Sequence, residues 1–334
     1  MEQRIAISKR TVLGLAVFGG FCLLSLTELK VFEAHSQVLY LWDSGQPLLS
    51  FIGHFHFYRY LTFYPGLLLE EIYPGIGFSI YISIFATLNT LLFRRVYNAV
   101  IGYPPSLFVY IIFLLIHLVM NGRGAIGWSG WLLCLSLHCK FSNSDRAGSF
   151  LTVGNSGLFF FSILFSSVSS GVFIVVFMSN LLLVARILRA SVLSYKFKFT
   201  HLFSIIFANV IIGYSIYFAT FYLLDALHKI LLFYGSYTSV IMHGLGLLAI
   251  YYDLGVVLLT LVIMAISFIL LWVILKEKIT PVIWLLFIIS MAGGAFGFTT
   301  LTLNIPLFLI FFSVLLRITL STSHRIIAHK DPLT

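Results

Sequence analysis

The chain alternates between long apolar segments and short polar ones, a pattern typical of proteins that cross a membrane many times. Charged residues, Gly or Pro bound six of the apolar segments. These six cover approximately residues 11–31, 77–93, 106–121, 125–139, 202–224 and 254–275. Because a helix needs roughly 20 apolar residues to cross a bilayer, each segment predicts one membrane-spanning helix.

Two further uncharged stretches are about twice as long as one spanning helix requires. They comprise the 39 residues of 147–185 and the 38 residues of 279–316. The first contains Ser166–Gly171 (SSVSSG) and the second Gly293–Phe298 (GGAFGF), and both are rich in residues that favour turns. Each stretch therefore predicts two spans. The expected fold is an all-α polytopic membrane protein with about ten transmembrane helices.

The composition agrees with this pattern and excludes a soluble enzyme. Of the 334 residues, 60% are hydrophobic and 9% are charged, whereas soluble domains carry about a quarter charged residues. We therefore expect residues 1–334 to form a single integral membrane domain, with longer outer loops at about 33–76 and 226–253. The formal charge of +9 follows the ends of the spans and predicts no nucleic-acid partner.

The distribution of basic residues predicts the orientation of the spans. With a cytoplasmic N-terminus, sixteen of the twenty Lys and Arg residues fall on the cytoplasmic side, as the positive-inside rule requires. The four on the outer side are Lys30, Arg59, Arg123 and Lys229. We expect both termini in the cytoplasm of a bacterium, a multi-pass location in the inner membrane, and a functional site that faces the periplasm.

Several kinds of chemistry lack their motifs. The chain has no GxxxxGK[ST] loop, no HExxH, no zinc-type Cys/His cluster and no DxD pair, so we expect neither a cofactor nor a metal. His54 and His56 could meet and bind a metal, but two histidines without a third ligand are more often polar loop residues. The cysteines, all in or beside apolar segments, are expected to be packing residues: Cys22, Cys134 and Cys139.

Two of the outer arginines are candidates for binding a substrate, because charge near a bilayer is costly unless it is paired or used. Arg123, in Asn121–Ile126 (NGRGAI), lies between two spans and is expected at the outer membrane edge, where it could bind a phosphate bidentately. Arg59 follows Tyr58 in the aromatic and basic segment His54–Tyr60 (HFHFYRY). The alternative for each arginine is a side chain that extends to the lipid head groups without binding a substrate.

A general base could come from Glu70 or Glu71, near the outer surface. Adjacent carboxylates at the end of a helix are more often simply solvated. Both interpretations remain open for this pair.

The segment from Gly235 to Leu259 resembles the second large periplasmic loop of the O-antigen polymerase and O-antigen ligase superfamily. In that family a His precedes an apolar helix, and an acidic residue stands just before a Gly. His243, Asp253 and Gly255 occupy those places here. The close resemblance covers residues 225–285, and the SSVSSG and NGRGAIG segments resemble the turns between spans in the polymerases.

The segment departs from the family pattern in three ways. Gly244 stands where the family usually has Asn or Ser, and the spacing from His243 to Gly255 is about one residue longer. The nearest counterpart of the family's upstream Arg is Lys229, which can hold a phosphate as a point charge but lacks the bidentate geometry of Arg.

The resemblance implies a polysaccharide polymerase with a helical fold related to the GT-C glycosyltransferases. Such enzymes transfer a growing glycan from undecaprenyl pyrophosphate onto a lipid-linked repeat unit without a metal or a nucleotide, and a chain-length regulator protein is a possible partner. His243 would be the base or would orient the acceptor, and Arg123 would act on the diphosphate. The implied substrate-binding residues are Arg59, Lys229, Asp253, Glu71 and Tyr58, of which Asp253 and Glu71 are alternative bases.

Three other functions remain open. The O-antigen ligase, from the same superfamily, would use the same donor. A transporter or flippase would place polar groups near the middle of the membrane, where His117 and the glycines of GGAFGF are the hints in this chain. A non-enzymatic immunity or chaperone-like factor would not need the outward cations.

Overall fold

The computed structural model describes residues 14, 16–20, 36–54, 56–119, 122–142, 151–193, 202–236, 254–293 and 302–328. Within these ranges all regular secondary structure is helical. The α-helices are α1 (Ser36–Asp43), α2 (Phe57–Ile72), α3 (Gly77–Ile101), α4 (Leu107–Val119), α5 (Gly122–Ser142), α6 (Val153–Ser166), α7 (Ser170–Leu193), α8 (Leu202–Tyr234), α9 (Leu254–Leu275), α10 (Pro281–Gly293) and α11 (Ile305–Ala328). Short 3-10 helices cover Leu48–Phe51 and Thr302–Asn304.

Several helices are long and apolar enough to cross a membrane. Within the described ranges, four qualify by length and composition: Gly77–Ile101, Ser170–Ala190, Ile205–Leu224 and Thr302–Thr319. Shorter apolar helices cover Leu107–His117, Val153–Ser166, Ala265–Leu275 and Pro281–Gly293. The described part of the chain is therefore all-helical and has the character of a membrane protein.

The turn predicted at Ser166–Gly171 is confirmed, because α6 ends at Ser166 and α7 begins at Ser170. At the second predicted turn, α10 ends at Gly293, and residues 294–301 lie outside the described part of the chain. The segment predicted as an outer loop at about 33–76 contains α1 and α2. The other predicted loop, about 226–253, begins within α8, and its residues 237–253 lie outside the described ranges.

Helix α5 is the central helix of the structure. Its side chains are buried without interruption from Gly124 to Cys139, and it packs against α3, α6 and α7. At Gly130 a Cβ atom would lie 2.7 Å from the carbonyl oxygen of Ser162 and 2.8 Å from the backbone nitrogen of Ser166. Only glycine permits this close approach of α5 to α6. The two cysteines of α5, Cys134 and Cys139, are buried free thiols, as predicted.

Helix α2 runs back along the first half of α3. Gly77 lies against the carbonyl group of Leu69, and the Tyr81 hydroxyl donates a hydrogen bond to the carbonyl oxygen of Thr62. Gly66 packs against the ring of Tyr81. The first residue of α2 is therefore level with the middle of α3 rather than with its start.

Helices α3 and α5 run parallel, but α5 begins further along. The Asn89 side-chain nitrogen donates to the carbonyl oxygen of Ala125 at 2.8 Å, and the Ser129 hydroxyl donates to the Asn89 side-chain oxygen at 2.7 Å. Since Asn89 lies twelve residues after Gly77, Ala125 is about 18 Å along α3 from the start of that helix. We call the end of the bundle marked by the first residue of α3 the Gly77 end.

Candidate functional site

Arg59 and Arg123, separated by 64 positions in the chain, stand beside residues of one buried cluster, to which Tyr60 of α2 and Ala125 of α5 both belong. Arg59 is in the first turn of α2 and is 9% exposed, and Arg123 is the second residue of α5 and is partly buried. The positive charge of Arg59 is near enough to act on Arg123. Two of the four cations predicted on the outer side thus share one site.

This site is recessed from the Gly77 end. Arg59 is one turn before Thr62, which contacts Tyr81, and Arg123 is two residues before Ala125, which contacts Asn89. At 1.5 Å per helical residue, both arginines lie about 10–15 Å along α3 from its first residue. The sequence predicted Arg123 at the outer membrane edge, and the depth arises because α5 begins well after α3.

Aromatic side chains lie near Arg59. The Tyr58 ring lies 4.0 Å from the ring of Phe218 and 5.5 Å from that of Tyr222, between centroids. Burial lowers the pKa of Arg59, while the phenol groups of Tyr222 and Tyr40 act in the opposite direction. Burial also raises the pKa of Tyr58. We refer to Arg59 and Arg123, together with Tyr58 and Tyr222, as the arginine site.

Tyr222 is a member of the arginine site that the sequence did not predict. Its ring is buried at 6% exposure, and its hydroxyl donates to the carbonyl oxygen of Ser167 at 3.2 Å. It also packs on Phe173 with 4.6 Å between centroids. Tyr222 therefore joins α8 to the α6–α7 turn beside Arg59. A tyrosine near the end of a predicted span was a weak signal, because aromatic residues are common at membrane interfaces.

The two carboxylates of α2 lie away from the arginine site. Glu71 is exposed and follows Arg59 by twelve residues, which separates the two by about 18 Å along the helix. The Glu70 carboxylate accepts hydrogen bonds from the backbone N–H groups of Gly75 at 2.6 Å and Phe78 at 2.7 Å. The structure therefore does not bring Glu71 to the arginines, and it gives Glu70 a role in the turn before α3.

Of the other residues predicted for the site, Lys229 lies in a described helix. Lys229 belongs to α8 and follows Tyr222 by seven residues, about 10 Å further along that helix. His243 and Asp253 lie outside the described residues. Their roles stay predictions from the sequence.

His54 and His56 form a small cluster near Tyr40. The His54 Nδ1 atom accepts from the backbone N–H of His56 at 3.0 Å, and the two rings are 6.0 Å apart. Their distances to the Tyr40 ring are 5.9 Å and 6.3 Å. The described part of the chain contains no group of three His, Cys, Asp or Glu residues that could hold a metal ion.

His117 is fully buried between α3, α4 and α5. Its Nδ1 atom lies 3.0 Å from the carbonyl oxygen of Phe113, and its Nε2 atom lies 3.1 Å from the Asn89 side-chain nitrogen. A carbonyl only accepts, so Nδ1 carries the proton and Nε2 accepts from Asn89. The Nε2 contact of this neutral histidine therefore joins α4 to α3, while the Nδ1 contact lies within α4.

Comparisons with known proteins add no family to these observations. No family model, no curated protein and no solved structure matches the chain. The function is therefore inferred from the arginine site and from the resemblance of residues 225–285 to the polymerase loop.

Proposed function

We propose that the protein is a polysaccharide polymerase of the bacterial inner membrane. It would transfer a growing glycan from undecaprenyl pyrophosphate onto a lipid-linked repeat unit, as a glycosyltransferase that needs no metal. The observation that carries this proposal is that Arg59 and Arg123 stand beside Tyr60 and Ala125 of one buried cluster, where the charge of Arg59 acts on Arg123. Two positive charges in one partly buried place favour a ligand with two negative charges, and a diphosphate has that chemistry.

The proposed reaction forms one glycosidic bond and breaks one bond to phosphate. The acceptor hydroxyl oxygen bonds to the anomeric carbon of the growing glycan, and the carbon–oxygen bond to the pyrophosphate breaks. The electron pair leaves with the pyrophosphate oxygen, where the two guanidinium groups would stabilise the developing charge. The hydroxyl proton goes to a base, for which the resemblance favours His243, with Asp253 as the alternative.

The depth of the arginine site suits a substrate with a lipid tail. With about ten spans, a GT-C-related fold and cytoplasmic termini, the Gly77 end would face the periplasm. A recess about 10–15 Å from that end would let the diphosphate reach the arginines while the polyprenyl chain stays in the bilayer. The rings of Tyr58 and Tyr222 would contact the sugars or the diphosphate, and Lys229 would serve the diphosphate as a point charge.

A matched set of variants tests this function in cells that lack the gene. Arg59→Gln and Arg123→Gln should each abolish long polymer chains and leave single repeat units on the lipid acceptor. Lys278→Gln, an exposed cation outside the arginine site, should keep the full ladder of chain lengths. Immunoblots of the membrane fraction check that all three proteins accumulate.

The outcomes separate the proposed function from its alternatives. A full ladder in either arginine variant would contradict the role of the arginine site. Deletion of an O-antigen ligase would leave no repeat units on the final acceptor, whereas deletion of a polymerase leaves single units there. The transporter alternative gains no support from His117, because both of its ring nitrogens bond to neighbouring groups in the helices.

A further inference from the structure

The first turn of α5, which carries Arg123, has little intrinsic preference for a helix. Arg123 stands between Gly122 and Gly124, and glycine loses more conformational freedom in a helix than any other residue. The first N–H groups of a helix also have no partner in a preceding turn. A fixed position for Arg123 therefore depends on contacts that other helices make with the start of α5.

Asn89 of α3 makes such contacts. Its side chain is fully buried. The side-chain nitrogen donates to the carbonyl oxygen of Ala125 at 2.8 Å, and the side-chain oxygen accepts from the Ser129 hydroxyl at 2.7 Å. Ala125 and Ser129 are four residues apart and lie on the same face of α5. One amide thus holds two successive turns of α5, and the first contact is two residues after Arg123.

The amide of Asn89 is itself held in one orientation. Its nitrogen lies 3.1 Å from Nε2 of His117, which accepts because Nδ1 of that ring donates to the carbonyl oxygen of Phe113. Both N–H groups of the amide therefore have an acceptor, and its oxygen has a donor. The reversed orientation would set the amide oxygen against the carbonyl oxygen of Ala125.

A second buried asparagine, Asn180 of α7, joins a different pair of helices. It is 1% exposed, and its side-chain nitrogen donates to the Ser162 hydroxyl of α6 at 2.9 Å. This bond holds α6 to α7 and not the helix that carries Arg123. Asn180 is therefore a matched control for the loss of a buried amide between helices.

We propose that Asn89 is a positioning residue for Arg123, because it fixes the first turn of α5 through Ala125 and Ser129. Asn89 itself touches no ligand. Without its bonds the backbone of residues 122–124 would fray, and the charge of Arg123 would be spread over several positions instead of being pre-organised for an anion. The identity of that anion, a diphosphate, rests on the proposed function, whereas the fixing of the turn does not.

Hydrogen exchange of the purified full-length protein in detergent, without ligand, tests whether Asn89 fixes the turn. Asn89→Leu keeps a similar side-chain volume but removes the amide, and it should raise the exchange rate of the backbone amides in residues 122–129 by about tenfold. Asn180→Leu should leave that rate within about twofold of the parent. An unchanged rate in folded Asn89→Leu would overturn the proposal.

Ser129→Ala is a milder variant for the same measurement. It removes one of the two bonds between Asn89 and α5 and leaves the bond to Ala125, so exchange in residues 122–129 should rise by about threefold. Thermal unfolding shows whether each variant is folded. If Asn89→Leu is not folded, Ser129→Ala decides the question, and an unchanged exchange rate in this variant contradicts the role of Asn89.

Titration with farnesyl pyrophosphate, a short polyprenyl diphosphate, tests whether Asn89 acts through Arg123. Asn89→Leu and Arg123→Gln should each weaken binding about tenfold, and Asn180→Leu should bind within about twofold of the parent. The double variant of Asn89 and Arg123 should bind no more weakly than Arg123→Gln alone. A fully additive loss of about a hundredfold would show that Asn89 acts on the fold in general, against the proposal.

The two measurements separate this inference from the proposed function. If the parent protein did not bind farnesyl pyrophosphate, the proposed function would be contradicted, and the exchange rates would still decide whether Asn89 fixes the turn. If the parent and folded Asn89→Leu bound this ligand equally, the diphosphate site would stand and the role of Asn89 would be overturned.

Discussion

Two adjacent carboxylates at the end of α2 differ in what their side chains contact. Glu70 bonds to the N–H groups of Gly75 and Phe78, whereas Glu71 is exposed. The first N–H groups of a helix have no partner within the helix, and the N-terminus favours negative charge. Glu70 therefore stabilises the start of α3.

Replacing the two carboxylates one at a time should separate their contributions to the free energy of unfolding. Glu70→Ala should lower the free energy of unfolding by about 1–2 kcal/mol, because it removes two charge-assisted hydrogen bonds at a helix start. Glu71→Ala is the matched control and should change stability by less than about 0.5 kcal/mol. Thermal unfolding in detergent measures both, and an equal loss in the two variants would contradict the assigned role of Glu70.

Single charged residues were the most predictable part of the site. Arg59 and Arg123 stood out in the sequence because charge is rare near a membrane. Their proximity was not predictable, since it depends on α2 turning back along α3 and on the late start of α5. Tyr222 could hardly be identified as a site residue from the sequence, for a related reason. Its importance comes from the hydrogen bond to Ser167, a contact across 55 positions of the chain.

The contact between α5 and α6 depends on a residue without a side chain. A methyl group at Gly130 would meet backbone atoms of Ser162 and Ser166, which cannot move aside as a side chain can. By contrast, a methyl group at Gly157 of α6 would have nothing within 4 Å. The two glycines therefore offer a test of close helix packing.

Gly130→Ala should force α5 and α6 apart and cost about 1–3 kcal/mol of stability. Gly157→Ala should be neutral or stabilising by up to about 1 kcal/mol, because alanine favours the helix and reduces the freedom of the unfolded chain. Urea or thermal unfolding in detergent compares the two variants. If Gly130→Ala left the free energy of unfolding unchanged, the two helices would not be in close contact.

The ends of the helices were more predictable than the identity of the helices that pack against them. The apolar segment 254–275 matches α9 at both ends, and the turn at Ser166–Gly171 lies where α6 passes to α7. Length and charge determine such bounds directly. The helices α1 and α2 were missed because their aromatic and polar residues did not form a segment of spanning length. The packing partners of each helix could not be predicted from the sequence either, because a helix that faces lipid and one that faces protein can both be apolar.

At the scale of the whole molecule, the predicted orientation can be tested by labelling. In a variant without the native cysteines, Tyr73→Cys places a thiol at the Gly77 end, and Lys276→Cys places one near the opposite end. Both positions are exposed. A membrane-impermeant maleimide should label Tyr73→Cys in spheroplasts and label Lys276→Cys only after the cells are opened, because basic ends stay in the cytoplasm. The reverse pattern would invert the proposed topology.

The burial of α5 bears on how the chain assembles during synthesis. Helix α5 is surrounded by protein, and it is not among the helices apolar enough to cross a membrane by length and composition in the described part of the chain. Its glycines, His138 and Lys140 make transfer into lipid costly for the isolated segment. We therefore expect its stable insertion to wait until α6 and α7, which pack against it, have been synthesised. Biogenesis of the protein would then depend on later helices that hold an earlier helix in the membrane. Variants that destabilise the packing of α6 against α5 would leave α5 uninserted, and the protein would be degraded.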